Sequence, residues 1–362
     1  MSLTVQQLSL VNFRSFCELA ITFSEAATIL VGKNAAGKTN VVESLQMVTT
    51  GYSFRKPTPS QLIHEGKEQG KVKAVFTGDG RFIDIACTIT PLKRQFEKNR
   101  KKCRASEVSG TLMSILFTPD DLALIKRSAS QRREEFDGFG RQANKTYAKV
   151  LASYTKSIEQ RNRLLKEAII NHALLDAWDS SVALGGATLL RARLQLFKRL
   201  ETKTADIYRQ ISGGENLSLS YVSTLGDVSP TQTKEELTGL FLTALQRARD
   251  IDIRRQQTTV GPHRDDCVFM IEGKDARAFG SQGQQRSVVL ALKMAEVLVA
   301  EEILGTKPLL LLDDVMSELD ASRREAIMKF ALTDIQTVIT TTNLGYFSQD
   351  ILDAAQVVSF DD

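Results

Sequence analysis

A glycine-rich segment near the N-terminus has the residue types and the spacing that bind a nucleotide phosphate. It matches the pattern GxxxxGK[ST], and its residues are Gly32, Lys33, Asn34, Ala35, Ala36, Gly37, Lys38 and Thr39, followed by Asn40. Glycines let the backbone wrap a phosphate with its N–H groups, Lys38 would reach the β- and γ-phosphates, and the Thr39 hydroxyl would bind Mg²⁺. A chance glycine turn before a helix is the alternative, but a buried strand and a helix are predicted on either side. We therefore predict that residues 32–40 bind Mg-ATP.

Two adjacent carboxylates follow a run of four leucines. Residues 309–312 have the pattern of a buried strand, and this strand delivers Asp313 and Asp314 to its end. Burial of two unpaired carboxylates would be costly, so a metal ion and a water explain them better than packing does. Asp313 is predicted to bind Mg²⁺, and Asp314 to orient or deprotonate the attacking water while Lys38 holds the phosphates. Helix capping by the pair is the alternative, but Ser317 and Asp320 are better placed to cap the helix that starts near residue 321.

A third segment opens a predicted helix at residues 283–304. Residues 279–286 read FGSQGQQR and resemble the ABC signature, usually written LSGGQ. A serine and backbone N–H groups at a helix N-terminus suit a γ-phosphate. The resemblance assigns this contact to Ser281, Gln282, Gly283 and Gln284, which would act on the nucleotide of a second copy, and it matches Ser317 and Asp320 to the D-loop that crosses between subunits. An ordinary N-cap at Ser281 is the alternative.

The elements around these motifs predict an α/β protein. Alternating or apolar strands are predicted at residues 3–11, 28–31, 71–77, 81–90, 268–271, 308–312 and 336–342, and helices at 38–50, 232–250, 283–304 and 321–332. Residues 140–210 contain no proline and have a helical pattern. We predict an ABC-type ATPase head, a mixed sheet with flanking helices, formed by residues 1–138 and 252–362. A mostly helical lobe, inserted at 139–251, forms a short antiparallel arm.

The bulk composition excludes several classes of protein. Hydrophobic residues make up 42% of the 362 residues and charged residues 25%, which is ordinary for a soluble protein. No stretch is apolar for long enough to cross a membrane, and the N-terminus lacks the pattern of a secretion signal, so we expect a cytoplasmic protein without a membrane partner. Four scattered cysteines and three histidines make a zinc site a poor prediction.

The formal net charge is only +4, which is too small to indicate DNA binding by itself. Evidence for DNA binding therefore has to come from local clusters of charge. The strongest cluster has one acidic residue, Glu97, among seven basic ones, which are Lys93, Arg94, Lys98, Arg100, Lys101, Lys102 and Arg104. Such a cluster on a hairpin could bind DNA phosphates without reading sequence, and a solvated charged loop is the equal alternative. Further candidates are Arg132, Arg133, Arg161, Arg163, Lys166, Arg254 and Arg255.

Together with these motifs, five more segments give the chain a specific resemblance. They are NFRSF at 12–16, FTPDDL at 117–122, QRN at 160–162, GPHRDD at 261–266 and LLLDDVMSELD at 310–320. Over nearly its whole length the chain resembles the RecF family, bacterial recombination-mediator ATPases related to the SMC-type ABC ATPases. The resemblance implies an ATP-dependent dimer on double-stranded DNA beside single-stranded gaps. It also implies RecR and RecO as partners, help in loading RecA during DNA repair, replication and the SOS response, and slow, DNA-stimulated hydrolysis.

Alternative interpretations stay open for Arg14, for His263 and for the functional class of the protein. The resemblance matches Arg14 to an arginine that reaches the nucleotide phosphates in SMC-type relatives, and a salt bridge at a strand end is the alternative. His263 has no nearby His or Cys, so a structural role is favoured over a metal site. A transporter ATPase is the alternative class, although residues 340–343 read TTTN where transporters carry a histidine. An ATP-gated scaffold without hydrolysis is another alternative, whereas the missing NKxD motif disfavours a GTPase.

Overall fold

The computed structural model describes residues 3–360 and confirms the predicted α/β class. Within those residues the strands are β1 (Thr4–Phe13), β2 (Phe16–Thr22), β3 (Ala27–Val31), β4 (Gly70–Gly78), β5 (Arg81–Thr90), β6 (Lys93–Lys98), β7 (Lys101–Cys103), β8 (Ser114–Phe117), β9 (Leu217–Val222), β10 (Asp266–Ile271), β11 (Lys274–Asp275), β12 (Leu309–Asp313), β13 (Thr337–Thr341) and β14 (Ala355–Ser359). The α-helices are α1 (Lys38–Thr50), α2 (Ala105–Val108), α3 (Ala129–Ala143), α4 (Lys145–Leu164), α5 (His172–Ile211), α6 (Lys234–Arg255), α7 (Gln282–Leu304), α8 (Ala321–Ala331) and α9 (Gln349–Ala354).

An antiparallel sheet has the order β2-β1-β4-β5-β6-β7. Strand β1 has a register shift between Val5 and Gln7 against β4. Strands β4 and β5 form a hairpin, in which Gly78 pairs with Arg81 across the turn. One face of β1 is apolar and buried, which is the pattern expected when only one face of an antiparallel sheet packs on a core.

A second sheet is parallel throughout and has the order β14-β3-β13-β12-β8. Its central strands β3, β13 and β12 are buried along almost their whole length, as expected for a parallel sheet covered on both faces. Because β13 lies between β3 and β12, the carboxyl ends of these three strands meet at one edge. Ligands of open α/β sheets bind outside the carboxyl ends of the strands, so this edge positions the predicted site.

Helix α1 joins both sheets through a single hydrophobic core. Its buried side chains Val41, Leu45 and Val48 pack in one cluster with Leu10 of β1 and Leu311 of β12. The helix starts directly after the glycine-rich segment, so its packing fixes the position of that segment. Burial of such side chains stabilises the fold by roughly 1.5–3 kcal/mol each.

The chain divides into two compact units. One is formed by residues up to Leu122 together with those from Val289 onwards, and the other by Ala123–Val288. The second unit contains the whole of the lobe predicted at 139–251 and also α3 and a small sheet of order β11-β10-β9. Helix α3 belongs to it because Arg132 pairs with Asp266 of β10 at 2.6 Å.

Helices α4 and α5 of the second unit lie antiparallel to each other. Their buried faces meet through Tyr154 and Ile158 of α4 and Val182 and Leu189 of α5. The direction follows from two side-chain contacts. Arg161 of α4 lies 2.6 Å from Asp179 of α5, and Ser157, which is earlier in α4, lies 3.2 Å from Ser181, which is later in α5. Among the described residues, no helix combines the length and the apolarity that a membrane crossing requires.

Candidate nucleotide-binding site

The glycine-rich segment turns from β3 into α1 through backbone angles that its sequence permits. Gly37 has φ 96°, in the left-handed region, and a Cβ atom there would lie 2.4 Å from Cζ of Phe16. Only glycine fits that close approach at a positive φ. Ala35 also has a positive φ, 68°, which costs a non-glycine residue strain of about 1–3 kcal/mol and is typical of functional sites.

The Lys38 side chain lies folded over the segment that precedes it. Its ammonium nitrogen donates hydrogen bonds to the carbonyl oxygens of Gly32 at 2.6 Å and Lys33 at 2.8 Å. The residue is 6% exposed, so these two backbone acceptors hold the cation inside the loop. A phosphate oxygen is a stronger, charged acceptor for the same ammonium group.

Asp313 and Thr39 meet at the carboxyl edge of the parallel sheet. Asp313 is 4% exposed, accepts a hydrogen bond from the Thr340 hydroxyl at 2.8 Å and accepts another from the Thr39 hydroxyl. Burial raises the pKa of Asp313, and these two hydrogen bonds act in the opposite direction. A carboxylate and a hydroxyl are hard oxygen ligands, so the pair fits Mg²⁺, which completes its octahedron with water and phosphate oxygens.

Asp314 is held in an unusual backbone conformation beside this pair. Its φ is 54°, and its N–H donates to the Thr340 hydroxyl oxygen at 2.9 Å. Burial raises the pKa of the Asp314 carboxyl, the Lys38 charge lowers it and Glu318 raises it. Its Oδ1 is buried without a hydrogen-bond partner within the described chain. Such an orphaned acceptor costs about 1–3 kcal/mol unless a donor such as water reaches it.

A buried carboxylate behind the loop was not predicted from the sequence. Glu43 of α1 is fully buried and accepts a bidentate pair of bonds from Arg14, with Nε–Oε2 at 2.9 Å and Nη2–Oε1 at 2.7 Å. The Ser53 hydroxyl donates to it at 2.5 Å, and Arg55 lies 3.5 Å away. The available signal was a glutamate on the apolar face of a predicted helix, between Val42 and Leu45.

Arg14 is therefore found in the salt bridge that the sequence left open as an alternative. Its Nη1 also donates to the Gln61 carbonyl at 2.8 Å. The neighbouring Ser15 hydroxyl accepts from Asn40 Nδ2 at 2.9 Å, and Asn40 Oδ1 accepts from Arg55 at 3.0 Å. A contact from Arg14 to a nucleotide stays a prediction.

The segment that resembles an ABC signature lies in the second unit at the start of α7. Ser281 and Gln284 cap this helix reciprocally, with Gln284 N–H donating to the Ser281 hydroxyl at 3.1 Å and Ser281 N–H to Gln284 Oε1 at 3.0 Å. Ser281 and Gln282 are exposed, and Gln284 Nε2 also donates to Glu215 at 2.9 Å. An N-cap serine leaves neighbouring N–H groups for an anion, so capping and phosphate binding are compatible.

The two residues matched to the D-loop have separate local roles in the first unit. The Ser317 hydroxyl donates to the carbonyl oxygen of Asp314 at 3.0 Å. Asp320 caps α8 by accepting from Arg323 N–H at 3.0 Å, which confirms that it is placed for capping. Both side chains are exposed.

The basic cluster at 93–104 forms the strand pair β6–β7. Its exposed members are Lys93, Arg100, Lys101, Lys102 and Arg104, whereas Arg94 and Lys98 are half-buried. Lys98 stands opposite Lys101, and Arg100 lies in the turn with φ 63°. Phe96 is 3% exposed, so it belongs to the core and cannot stack on a base. Strand β7 is a sheet edge, where lysines also prevent edge-to-edge pairing.

Two of the further candidates for DNA contact are wrong. Arg161 is fully buried and pairs with Asp179 at 2.6 Å and Asp252 at 2.7 Å. Arg132 is 3% exposed and bonds Asp266. Both residues have basic neighbours in the sequence, but the carboxylates that pair with them lie far away in the chain and no local pattern indicates them.

His263 is built into the interior of the second unit. One ring nitrogen lies 2.7 Å from the Tyr154 hydroxyl and the other 3.0 Å from the Thr258 carbonyl oxygen. Burial lowers the pKa of His263 to about 4. The structural role that the sequence favoured is confirmed, since both nitrogens bond the protein itself.

Comparisons with known proteins agree with one another. Residues 4–359 match the family described as RecF/RecN/SMC N terminal domain. Proteins named DNA replication and repair protein RecF from Thermosynechococcus vestitus and Heliobacterium modesticaldum are both 36% identical, over 98% of this chain and 94% and 96% of their own lengths.

Solved structures give the same result for the fold. One described as the recombination mediator protein RecF-ATP in the RecFOR pathway superposes with a TM-score of 0.89 at 30% identity, covering 96% of this chain and 94% of that one. The Smc head domain from Pyrococcus furiosus has a TM-score of 0.56 at 16% identity, covering 99% and 94%, and shares the fold.

Proposed function

Because this chain belongs to the RecF family of DNA replication and repair proteins, we propose that it binds Mg-ATP and forms an ATP-gated dimer on double-stranded DNA. The observation that carries the proposal is the meeting of Thr39, Asp313 and Asp314 at one edge of the parallel sheet. The similar solved protein described as RecF-ATP supports ATP as the ligand. In this proposal, the loop and the sheet edge of one copy bind the same ATP molecule that a second copy contacts.

Within one copy, the loop residues bind and orient the phosphates. Lys38 would exchange the carbonyl oxygens of Gly32 and Lys33 for oxygens of the β- and γ-phosphates. Thr39 and Asp313 would hold Mg²⁺, which, when bound, neutralises charge on the phosphates. Asp314 would accept a hydrogen bond from a water at its buried, unpartnered Oδ1 and take a proton from it, and a raised pKa suits a general base.

The site is completed by the start of α7 from the second copy. Ser281, Gln282, Gly283 and Gln284 would contact the γ-phosphate through the serine hydroxyl and N–H groups of the first turn. Ser317 and Asp320 would cross between the copies beside it. Since the γ-phosphate is the shared ligand, ATP favours the dimer and ADP does not.

DNA binding would come from the exposed lysines and arginines of β6–β7. A duplex is held there through its phosphates, without reading of sequence. In the family role, the dimer binds beside single-stranded gaps, acts with RecR and RecO and assists the loading of RecA in the cytoplasm. Hydrolysis is slow and DNA-stimulated, and it resets the dimer.

The direct test is sedimentation of the purified chain with ATP, ADP or no nucleotide, each with and without duplex DNA. We expect a dimer with ATP only, and more dimer when duplex is present. Lys38→Met removes the ammonium group that binds the phosphates and should abolish every nucleotide effect. A chain that stays monomeric with saturating ATP and duplex contradicts the proposal.

Two alternative functions give different results in simple assays. For a transporter subunit, duplex DNA would not stimulate hydrolysis. For an ATP-gated scaffold without hydrolysis, Asp314→Asn would leave the lifetime of the ATP dimer unchanged. For the ATPase proposed here, Asp314→Asn retains ATP and prolongs the dimer, because the base that acts on water is gone.

A further inference from the structure

An exposed thiol and an imidazole lie side by side on the first unit. Sγ of Cys17 in β2 is 3.3 Å from Nε2 of His64, and Nδ1 of His64 is 2.8 Å from the carbonyl oxygen of Arg14. A carbonyl oxygen only accepts hydrogen bonds, so Nδ1 must carry the hydrogen. In the neutral ring, Nε2 then presents its lone pair to the Cys17 thiol.

This arrangement has the three parts of an activated nucleophile. The thiol is the nucleophile, the imidazole is the base within hydrogen-bond reach, and the carbonyl orients the base. We propose that Cys17 and His64 form a reactive thiol site that exchanges with small disulfides. The proposal concerns chemistry on this chain alone and does not need nucleotide.

The proposed exchange balances without a further reactant. The Cys17 proton passes to Nε2 of His64, and the sulfur attacks one sulfur of a small disulfide such as oxidised glutathione. A new disulfide bond forms to Cys17 as the old one breaks, and the leaving sulfur departs as a thiolate that takes the bonding electron pair. The disulfide is the oxidant, and Cys17 becomes a mixed disulfide.

The other three cysteines differ from Cys17 in their surroundings. Cys87 and Cys267 are buried, and burial raises the pKa of each thiol to about 12. Cys103 is half-buried, and burial raises its pKa as well. Thiols with raised pKa values hold little thiolate near neutral pH and react slowly. They provide an internal reference for the rate at Cys17.

A group attached to Cys17 would lie beside the turn that supports the phosphate-binding loop. In that turn, Ser15 bonds Asn40 at 2.9 Å, and the Phe16 ring packs against Gly37. We therefore expect the mixed disulfide to weaken ATP binding, a consequence that rests on the proposed function. The exchange reaction itself is independent of it.

The experiment uses the nucleotide-free chain and 4,4′-dithiodipyridine, an aromatic disulfide whose reduced product absorbs light. Wild type should release one equivalent in a fast phase, with the label located at Cys17 by mass spectrometry. Cys17→Ser should remove that phase, and Cys103→Ser should leave it unchanged. In His64→Asn, the amide N–H takes the position of the imidazole Nδ1–H and keeps the hydrogen bond to the Arg14 carbonyl oxygen. The variant has no basic nitrogen in the position of Nε2. It should slow the phase by about tenfold or more.

Two results separate the parts of this inference. The reactive site is overturned if the fast phase of His64→Asn has a rate within twofold of wild type. It is also overturned if the label reaches Cys103 as fast as it reaches Cys17. Circular dichroism checks that the variant is folded. The second arm measures the ATP affinity of the chain labelled at Cys17, with Cys17→Ser treated with the same reagent as control. Unchanged affinity overturns only the link to the nucleotide. Absence of ATP binding by the unlabelled chain would instead contradict the proposed function.

Discussion

Glu43 binds Arg14 through both carboxylate oxygens, at 2.9 and 2.7 Å, and does so from a fully buried position in α1. The pair ties the turn at residues 12–16 to the first helix. That turn in turn contacts the phosphate-binding loop through Ser15, which bonds Asn40. The carboxylate therefore orders structure on which the nucleotide site depends, without facing the site itself.

Glu43→Gln should reduce the free energy of unfolding by about 3 kcal/mol, because removal of one partner leaves the Arg14 guanidinium partly buried and without its counter-charge. Urea unfolding of the nucleotide-free chain measures this. Glu325→Gln, an exposed position on α8, is the matched control and should change stability by less than about 0.5 kcal/mol. Equal effects of the two variants would show that the buried pair contributes nothing to stability.

Charge reversal on the β6–β7 strand pair should weaken duplex binding. Replacing Arg100, Lys101 and Lys102 by Glu removes exposed cations, so both the affinity at low salt and the slope of log affinity against log salt should fall. The control reverses Lys67, Lys71 and Lys329, which are exposed elsewhere in the same unit and change the net charge equally. Fluorescence anisotropy from low to high salt distinguishes them. Equal loss in both triple variants would mean that net charge, and not this patch, holds the duplex.

His263 should make the protein lose stability in acid. Burial lowers its pKa in the folded chain from 6.5 to about 4, so the unfolded chain binds the proton more tightly. The stabilising contribution is full above pH 6.5 and is lost as the pH falls through 6.5 towards 4. The shift corresponds to about 3 kcal/mol.

Urea unfolding between pH 7 and pH 4 tests this. In wild type, the free energy of unfolding should fall by about 3 kcal/mol more than in His263→Gln, which has no proton to bind. His172→Gln, at an exposed histidine, should follow wild type. Parallel curves for wild type and His263→Gln would contradict the lowered pKa.

Much of the fold followed from the sequence because its strongest signals are local. The four leucines before Asp313 predict a buried strand, and the strand–glycine–helix pattern around Lys38 predicts the phosphate-binding loop. These signals are periodic or carried by adjacent residues. The same pattern places Asp313 at the carboxyl end of β12, because it directly follows the last leucine.

The parts that the sequence did not predict depend on partners far away in the chain. Thr340 bonds both the Asp313 carboxylate and the Asp314 N–H, a role that no pattern in residues 340–343 indicated. Arg161 was expected on a surface and is buried by Asp179 and Asp252. A buried cation is stable only where the fold brings carboxylates to it, and a local sequence pattern contains no such information.

In the proposed dimer, one nucleotide is bound by the loop of one copy and the α7 start of another. Two variants separate these halves. Lys38→Met removes the loop function and keeps Ser281, whereas Ser281→Arg keeps the loop and places a bulky cation where the γ-phosphate of the partner would lie. Each alone should fail to dimerise with ATP, although Ser281→Arg should still bind ATP.

Mixing these two variants in equal amounts distinguishes a nucleotide shared between two copies from one bound by a single copy. A mixed dimer contains one intact composite site, made by the loop of the Ser281→Arg chain and the α7 start of the Lys38→Met chain. Sedimentation of the mixture with ATP should therefore show a dimer that neither variant forms alone, carrying both chains. If the mixture with ATP contains only monomers while wild type dimerises, the nucleotide is not shared between two copies and the proposed dimer is wrong.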